Sequence, residues 1–176
     1  SDSRQDLSWS RPITYTNVLV ERRVDGGAWS QIASLGNVSA YSDTSTSAGH
    51  RYEYRVRGTS TGGTSPYSGT VQVSLPLPAP TSVAGTRVSD GRVDVSWVKS
   101  GTATSVVVQR STGGGPWQQV GAPSGNITSF SDTTTGANAR YVYRVALVSP
   151  GGQSAWSASS ASVYTSPPAP TGVSAV

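Results

Sequence analysis

Apolar side chains recur at every second position over short stretches of the chain, as at Val93, Val95 and Trp97, at Val106 and Val108, and at Tyr141, Tyr143, Val145 and Leu147. A strand turns successive side chains to opposite faces, so this period predicts strands buried on one side. The runs are dominated by β-branched and aromatic residues, which pack well on a pleated surface. Clusters of Gly, Ser, Thr, Asp and Pro interrupt them every 8–12 residues or so, the spacing of a sandwich or barrel. No window keeps a helical period over three turns. Gly113-Gly114-Gly115 and Asp25-Gly26-Gly27 fall where hairpin turns need residues that tolerate positive φ. In the second half of the chain the pattern predicts strands near 82–88, 91–98, 104–111, 116–120, 126–131, 140–149 and 154–164. Seven strands in about 90 residues predict an all-β, two-sheet sandwich.

The chain repeats itself. Arg4-Gln5-Asp6-Leu7-Ser8-Trp9 returns as Arg92-Val93-Asp94-Val95-Ser96-Trp97, an offset of 88 (97 − 9). Asn37-Val38-Ser39-Ala40-Tyr41-Ser42-Asp43-Thr44 returns as Asn126-Ile127-Thr128-Ser129-Phe130-Ser131-Asp132-Thr133, where the offset is 89 (126 − 37). Arg51-Tyr52-Glu53-Tyr54-Arg55-Val56 meets Arg140-Tyr141-Val142-Tyr143-Arg144-Val145, and Ala79-Pro80-Thr81 meets Ala169-Pro170-Thr171 at an offset of 90 (169 − 79). Two one-residue insertions in loop-like stretches account for the drift. Self-similarity of this kind marks tandem units, each a separate sandwich.

Pro-Ala-Pro-Thr opening a unit, one Trp ending the second strand, and Tyr-x-Tyr-Arg-Val in the sixth resemble the fibronectin type III domain. The resemblance implies an immunoglobulin-like, seven-stranded sandwich, present twice. It implies that Trp9 and Trp97 plug the two cores and that Tyr52 and Tyr141 form tyrosine corners, their hydroxyls tied back to nearby backbone. Gly-Gly-x-Trp after the third strand and Gly-Gly-x-Ser near the seventh resemble the form found in bacterial and bacteriophage proteins. Residues 1–77 are then expected to form a domain lacking its first strand, and 78–167 a complete one. Residues 168–176 are expected to begin a third repeat, so the chain reads as an excerpt of a longer array. The Pro-rich joints at 75–81 and 166–171 are expected to act as semi-rigid spacers.

Composition narrows the function. Ser and Thr total 50 of 176 residues, whereas Asp, Glu, Lys and Arg make up only 12%, about half the globular norm of roughly 25%. The surface is therefore solvated by hydroxyls and amides more than by ions. Net charge is +4, from 12 Arg and Lys99 against nine carboxylates. The Arg residues are spread along the chain instead of clustered, which argues against a nucleic-acid partner. No segment is apolar enough to insert in a membrane. With no Cys, disulfides and thiolate metal sites are excluded, and no cofactor is expected.

Catalytic candidates are few. His50 is the one histidine, and pairing it with Asp43 and a serine would be the sole route to a nucleophile. Glu21 and Glu53 align with Gln109 and Val142, so no carboxylate pair is shared by the units. Asp43 and Asp132 repeat within Ser-Asp-Thr, where Asp shapes a turn by bonding its own backbone. Their spacing matches no calcium loop. No enzymatic site and no metal site is expected.

The aromatic residues are the candidates for binding. Trp29 and Trp117 follow the Gly-rich hairpins, with Ile32 and Val120 taking inward positions nearby. Each Trp either stacks on a sugar ring or lies over its own sheet. Tyr67 and Trp156, aligned ahead of the last strand, admit the same two readings and also packing between units. Asn37 and Asn126 head glycosylation-type sequons that also suit turns. By resemblance, the expected role is a non-catalytic structural and adhesive repeat of a bacteriophage virion protein, a tail or surface appendage. Its partners would be other virion or surface proteins through flanking domains, with weak contact to host cell-surface polysaccharide. Two alternatives stay open: accessory spacers of a secreted bacterial polysaccharide-degrading enzyme, or a bacterial surface adhesin.

Overall fold

The computed structural model describes residues 3–172; of the segment expected to open a third unit, 173–176 lie outside them. Within these bounds the chain is all-β and divides into two compact units, Ser1–Pro76 with Ser149–Gly152, and Leu77–Val148 with Gln153–Val176.

The second unit is built from β8 to β15 and has the more complete core. β8 (Thr81–Ser89), β9 (Arg92–Val98) and β12 (Ser129–Asp132) form one sheet in the order β12-β9-β8. The other sheet runs β11-β10-β13-β14, from β10 (Ser105–Thr112), β11 (Gln118–Gly121), β13 (Arg140–Ser149) and β14 (Gly152–Gln153). β15 (Val163–Tyr164) pairs with β13. Alternation along β9, β10 and β13 turns Val93, Val95, Trp97, Val106, Val108, Tyr143, Val145 and Leu147 inward, where all are buried. Val83 of β8 packs against the same cluster.

The first unit has β1 (Gln5–Ser8), β2 (Asn17–Val24), β3 (Ser30–Leu35), β4 (Ala40–Asp43), β5 (His50–Ser60), β6 (Gly63–Thr64) and β7 (Val71–Leu75). One sheet runs β3-β2-β5-β6, with β7 also on β5; the other holds only β1 and β4. Among the described residues nothing corresponds to β8. The consequence is visible position by position. Val95, Trp97 and Val145 are buried in the second unit, whereas their counterparts Leu7, Trp9 and Val56 are half-buried. Trp9 is therefore not the sealed core plug that the resemblance implied. Its indole Nε1 donates to the Val38 carbonyl at 3.0 Å, while Trp97 Nε1 is buried with no acceptor.

The predicted last strand, 154–164, is mostly something else. Only Val163 and Tyr164 pair as a strand. Ahead of them Ser154, Ser157 and Ser160 donate their backbone N–H to the carbonyls of Leu147, Val145 and Tyr143, at 2.8, 2.9 and 2.8 Å. Their hydroxyl oxygens accept from the N–H of the same three residues, each at 3.0 Å. The segment thus advances three residues for every two of β13, with serine side chains replacing the ladder acceptors. Ser65 and Ser68 treat Gly58 and Val56 the same way. Buried backbone groups must be satisfied, and here hydroxyls satisfy them.

Candidate functional site

The four aromatic candidates meet in pairs, one pair per unit, each clamped on an arginine. On β2 and β5 of the first unit, Glu21 lies opposite Arg55 and Arg23 opposite Glu53. The two-residue period puts all four, and Arg57, on one sheet face. The Gly-rich hairpin brings Trp29 over this face, and the serine-bonded segment brings Tyr67. The Arg55 guanidinium lies 4.2 Å from the Trp29 ring centre and 3.7 Å from that of Tyr67. Arg23 flanks Trp29 at 4.9 Å and Arg57 flanks Tyr67 at 4.6 Å. Glu21 ties the stack together, accepting from Arg55 Nη2 at 2.7 Å and from the Tyr67 hydroxyl at 2.6 Å. In the second unit Arg144 lies 4.4 Å from both Trp117 and Trp156. There Gln109 accepts from Arg144 Nε and Nη2 at 2.9 and 2.7 Å.

Each contact sets a cation against the negative face of a ring, about 0.5–1 kcal/mol where exposed and more where desolvated. All four rings are half-buried. Burial pushes the Glu21 carboxyl up, but bonds from Tyr67 and Arg55 outweigh it and hold the group below its ordinary value. The bond to Glu21, followed by burial, pushes the Tyr67 hydroxyl up. The two shifts run in the same sense, favouring the ionised Glu21 and the protonated Tyr67 in their shared bond.

A second arrangement, not foreseen as such, repeats in both units. Asp43 accepts from Arg22 at 2.7 Å, from the Tyr54 hydroxyl at 2.9 Å, and from Ser45 N–H and Oγ at 3.0 and 2.7 Å. Asp132 does the same with Arg110 at 2.7 Å, Tyr143 at 3.0 Å, and Thr134 N–H and Oγ1 at 3.0 and 2.7 Å. Both carboxylates are almost fully enclosed, at 1% and 0% exposure. Burial raises each, yet the bonds from Ser45 or Thr134, Arg and Tyr win, and both carboxyls lie below the usual range. Burial, reinforced by the aspartate beside each, pushes the Tyr54 and Tyr143 hydroxyls up. The Asp does bond the turn backbone, but it also anchors a partly buried Arg and a buried Tyr. The signal that would have found this set is the repeat itself, since Arg22/Arg110, Asp43/Asp132 and Tyr54/Tyr143 all recur.

Tyr52 and Tyr141 are buried, at 3% and 4% exposure. Their hydroxyls accept from the N–H of Ser47 at 2.9 Å and of Gly136 at 2.8 Å, five residues upstream in each case. His50 opens β5 and its Nδ1 lies 2.6 Å from Asp25 Oδ2; the structure does not bring it to Asp43. Burial raises Asp25, but the Arg51 N–H and His50 more than offset it, so Asp25 is lowered. Among the described residues no cluster of three His, Cys, Asp or Glu could hold a metal ion, and no helix is long and apolar enough to cross a membrane.

Against solved structures, the chain is similar to a two-domain fibronectin type III segment of chicken tenascin. The TM-score is 0.71, over 94% of each chain, at 16% identity. The fold is that of two fibronectin type III domains in tandem. The FN1–FN3 domains of chicken CNTN1 also match, at a TM-score of 0.47 and 20% identity, over 94% of this chain and 61% of that one. No family model and no curated protein matches the chain.

Proposed function

We propose that this tandem fibronectin type III pair is a non-catalytic structural module that spaces and presents other parts of a surface assembly. The observation that carries this reading is that both units spend their chemically conspicuous groups on themselves. The buried aspartates hold Arg and Tyr, Glu21 and Gln109 hold Arg55 and Arg144, and the candidate aromatics lie on those arginines. Such groups are set in place by internal bonds, which suits a bead that keeps its shape and leaves no base or nucleophile poised for substrate. The short Pro-rich joints support the same reading, since proline restricts the backbone.

Weak glycan contact at Trp29, Tyr67, Trp117 and Trp156 is a second reading, favoured by the half exposure of rings held rigidly in pairs. Repetition would let weak contacts add through effective concentration. The finer assignment, a bacteriophage tail or surface appendage meeting host polysaccharide, rests on the sequence resemblance. Small-angle scattering on arrays of three or more complete units tests the spacer. The largest dimension should grow in proportion to the number of units, and a folded-back particle would refute it. Antibody labelling of intact phage particles tests the virion assignment.

A further inference from the structure

The two aromatic stacks differ at one position that changes their charge. In the first unit the central arginine is gripped by Glu21, whose Oε2 accepts from Arg55 Nε and Nη2 while Oε1 accepts from the Tyr67 hydroxyl. At the aligned position the second unit has Gln109, whose Oε1 accepts from Arg144 Nε and Nη2. An amide oxygen fills the same bonding role as the carboxylate without neutralising the guanidinium. Nothing else in the second unit neutralises it. The acidic side chains from Leu77 onward are Asp90, Asp94 and Asp132, and each is already paired, with Arg87, Arg92 and Arg110. The strands β10, β11 and β13 therefore offer no free carboxylate on the face that carries Arg144. Arg140 is exposed on the same face, four residues or about 13 Å along β13. A Cβ at Gly114 would lie 3.1 Å from Arg140 Nη2, so this second guanidinium sits against the hairpin that leads to Trp117.

We infer that the Trp117–Arg144–Trp156 stack binds a carboxylate-bearing sugar, a uronic acid residue of a polysaccharide, and that the first unit's stack is closed to it. This rests on the glycan reading of the aromatic residues and gives that reading a ligand class. A guanidinium carries five N–H donors. Gln109 takes two from Arg144, one on Nε and one on Nη2, so both N–H groups on Nη1 and one on Nη2 have no acceptor among the described residues. These form the edge that meets a carboxylate through two parallel bonds. The Gln109 amide nitrogen and the indole N–H groups of Trp117 and Trp156 also have no acceptor among the described residues, and none of them is enclosed. A sugar ring offers C–H groups on its face and hydroxyls at its rim. The half-buried indoles suit the face, the spare N–H donors suit the rim, and Arg144 suits the carboxylate. Gln119, exposed and opposite Gln109, adds a further amide to the rim. Arg140 supplies a cation for the next acidic residue along the polymer. In the first unit Glu21 occupies the centre of the stack, and its charge repels a second carboxylate. Arg57, the further cation beside Tyr67, also lies within the field of Glu21.

Titration of the 176-residue chain with oligogalacturonate and with oligomannuronate tests this, read from the indole N–H signals of its five Trp by NMR. Those of Trp117 and Trp156 should shift saturably while that of Trp29 stays in place. The methyl-esterified oligomers keep the rings and hydroxyls but not the charge, and should bind about tenfold more weakly or worse. Added salt should weaken the acidic oligomers and leave the esters unaffected. Gln109→Glu rebuilds the first unit's ion pair and should cut affinity about tenfold or more. Glu21→Gln makes the reverse change and should bring the Trp29 signal into the titration. Thermal melts check that both variants fold, and a loss in one with a gain in the other is not a pattern that damage to the fold produces. Equal binding of acidic and esterified oligomers would overturn the inference, while shifts at Trp29, Trp117 and Trp156 with both would still sustain the broader glycan reading. If no sugar, acidic or neutral, moves any of these signals, both fall. Tighter binding of a single-stranded oligonucleotide of equal charge would also overturn the inference and assign the stack to nucleic acid.

Discussion

Replacing Trp97 and Trp9 by alanine makes the same chemical change at equivalent positions, yet the two should differ in cost. A buried Trp removes about 150–250 Å² from water, which at about 25 cal/mol per Å² corresponds to roughly 4–6 kcal/mol. Measured truncations of this kind cost about 3–5 kcal/mol. Trp97 is 4% exposed amid a twelve-residue cluster, so the full range applies. Trp9 is half-buried and borders an open groove, so its loss leaves no sealed cavity; about half the area, or ~2 kcal/mol, is expected. At about 4–8 °C per kcal/mol for a domain of this size, Trp97→Ala should lower the melting of its unit by about 15 °C or more. Trp9→Ala should lower the other unit by about 10 °C. Calorimetry of the full chain, with hydrogen exchange assigning each transition to its unit, reads both. Equal costs would refute the account of β8 as the missing cover. A shift of a degree or two for Trp97→Ala would refute the strand placement altogether. Trp97→Phe should be milder than its lost volume suggests, because it deletes a buried N–H that has no acceptor.

Asp132→Ala strands the partly buried Arg110 and leaves the buried Tyr143 hydroxyl without its acceptor, and should destabilise the second unit by about 3 kcal/mol, measurable by urea denaturation. Asp43 and Asp132 are lowered in the folded state, so the unfolded chain binds more protons in acid. Their contribution should be complete above about pH 5 and fall away as pH drops through the folded values, below the ordinary 3.9 or so. The double variant Asp43→Asn, Asp132→Asn should flatten that acid limb in a pH series of melts. Ser157→Ala removes the acceptor of the Val145 N–H and should cost about 1–3 kcal/mol, with faster exchange at that amide. Titration calorimetry with calcium and zinc should show no site tighter than about 10 μM; binding lost on changing Asp43 or Asp132 would contradict their role as internal anchors.

Much of the fold is legible because strand period and turn residues recur in both units, so each copy checks the other. What failed did so for local reasons. Trp9 has the sequence context of Trp97, but burial depends on a covering strand that the context does not contain. The stretch Ser154–Ser162 looks extended from its small residues, and only the three-residue spacing of its serines betrays that hydroxyls replace a ladder. The aromatic pairs were named as candidates, but not their arginines. Arg55 lies 26 residues from Trp29 in sequence (55 − 29), and only the cross-strand register brings them together. The Arg–Asp–Tyr networks were readable as the charged positions that both units share, although their burial required the sheets to close over them.

The serine-bonded segments also account for a peculiarity of the repeat arithmetic. Counting along β5, Ser68 stands against Val56, Val71 against Tyr54 and Val73 against Tyr52. Counting along β13, Ser157 stands against Val145, Ser160 against Tyr143 and Val163 against Tyr141. The step from Tyr54 to Tyr52 consumes two residues, whereas the step from Tyr143 to Tyr141 consumes three. The offset between the copies therefore grows from 89 (160 − 71) to 90 (163 − 73) with no loop lengthened at all. Such a seam has two gauges, a two-residue stride in which backbone meets backbone and a three-residue stride in which serine intervenes. A single-residue insertion, which in an ordinary strand would invert every following side chain, is here absorbed by a change of stride, and Val73 and Val163 still face the same way.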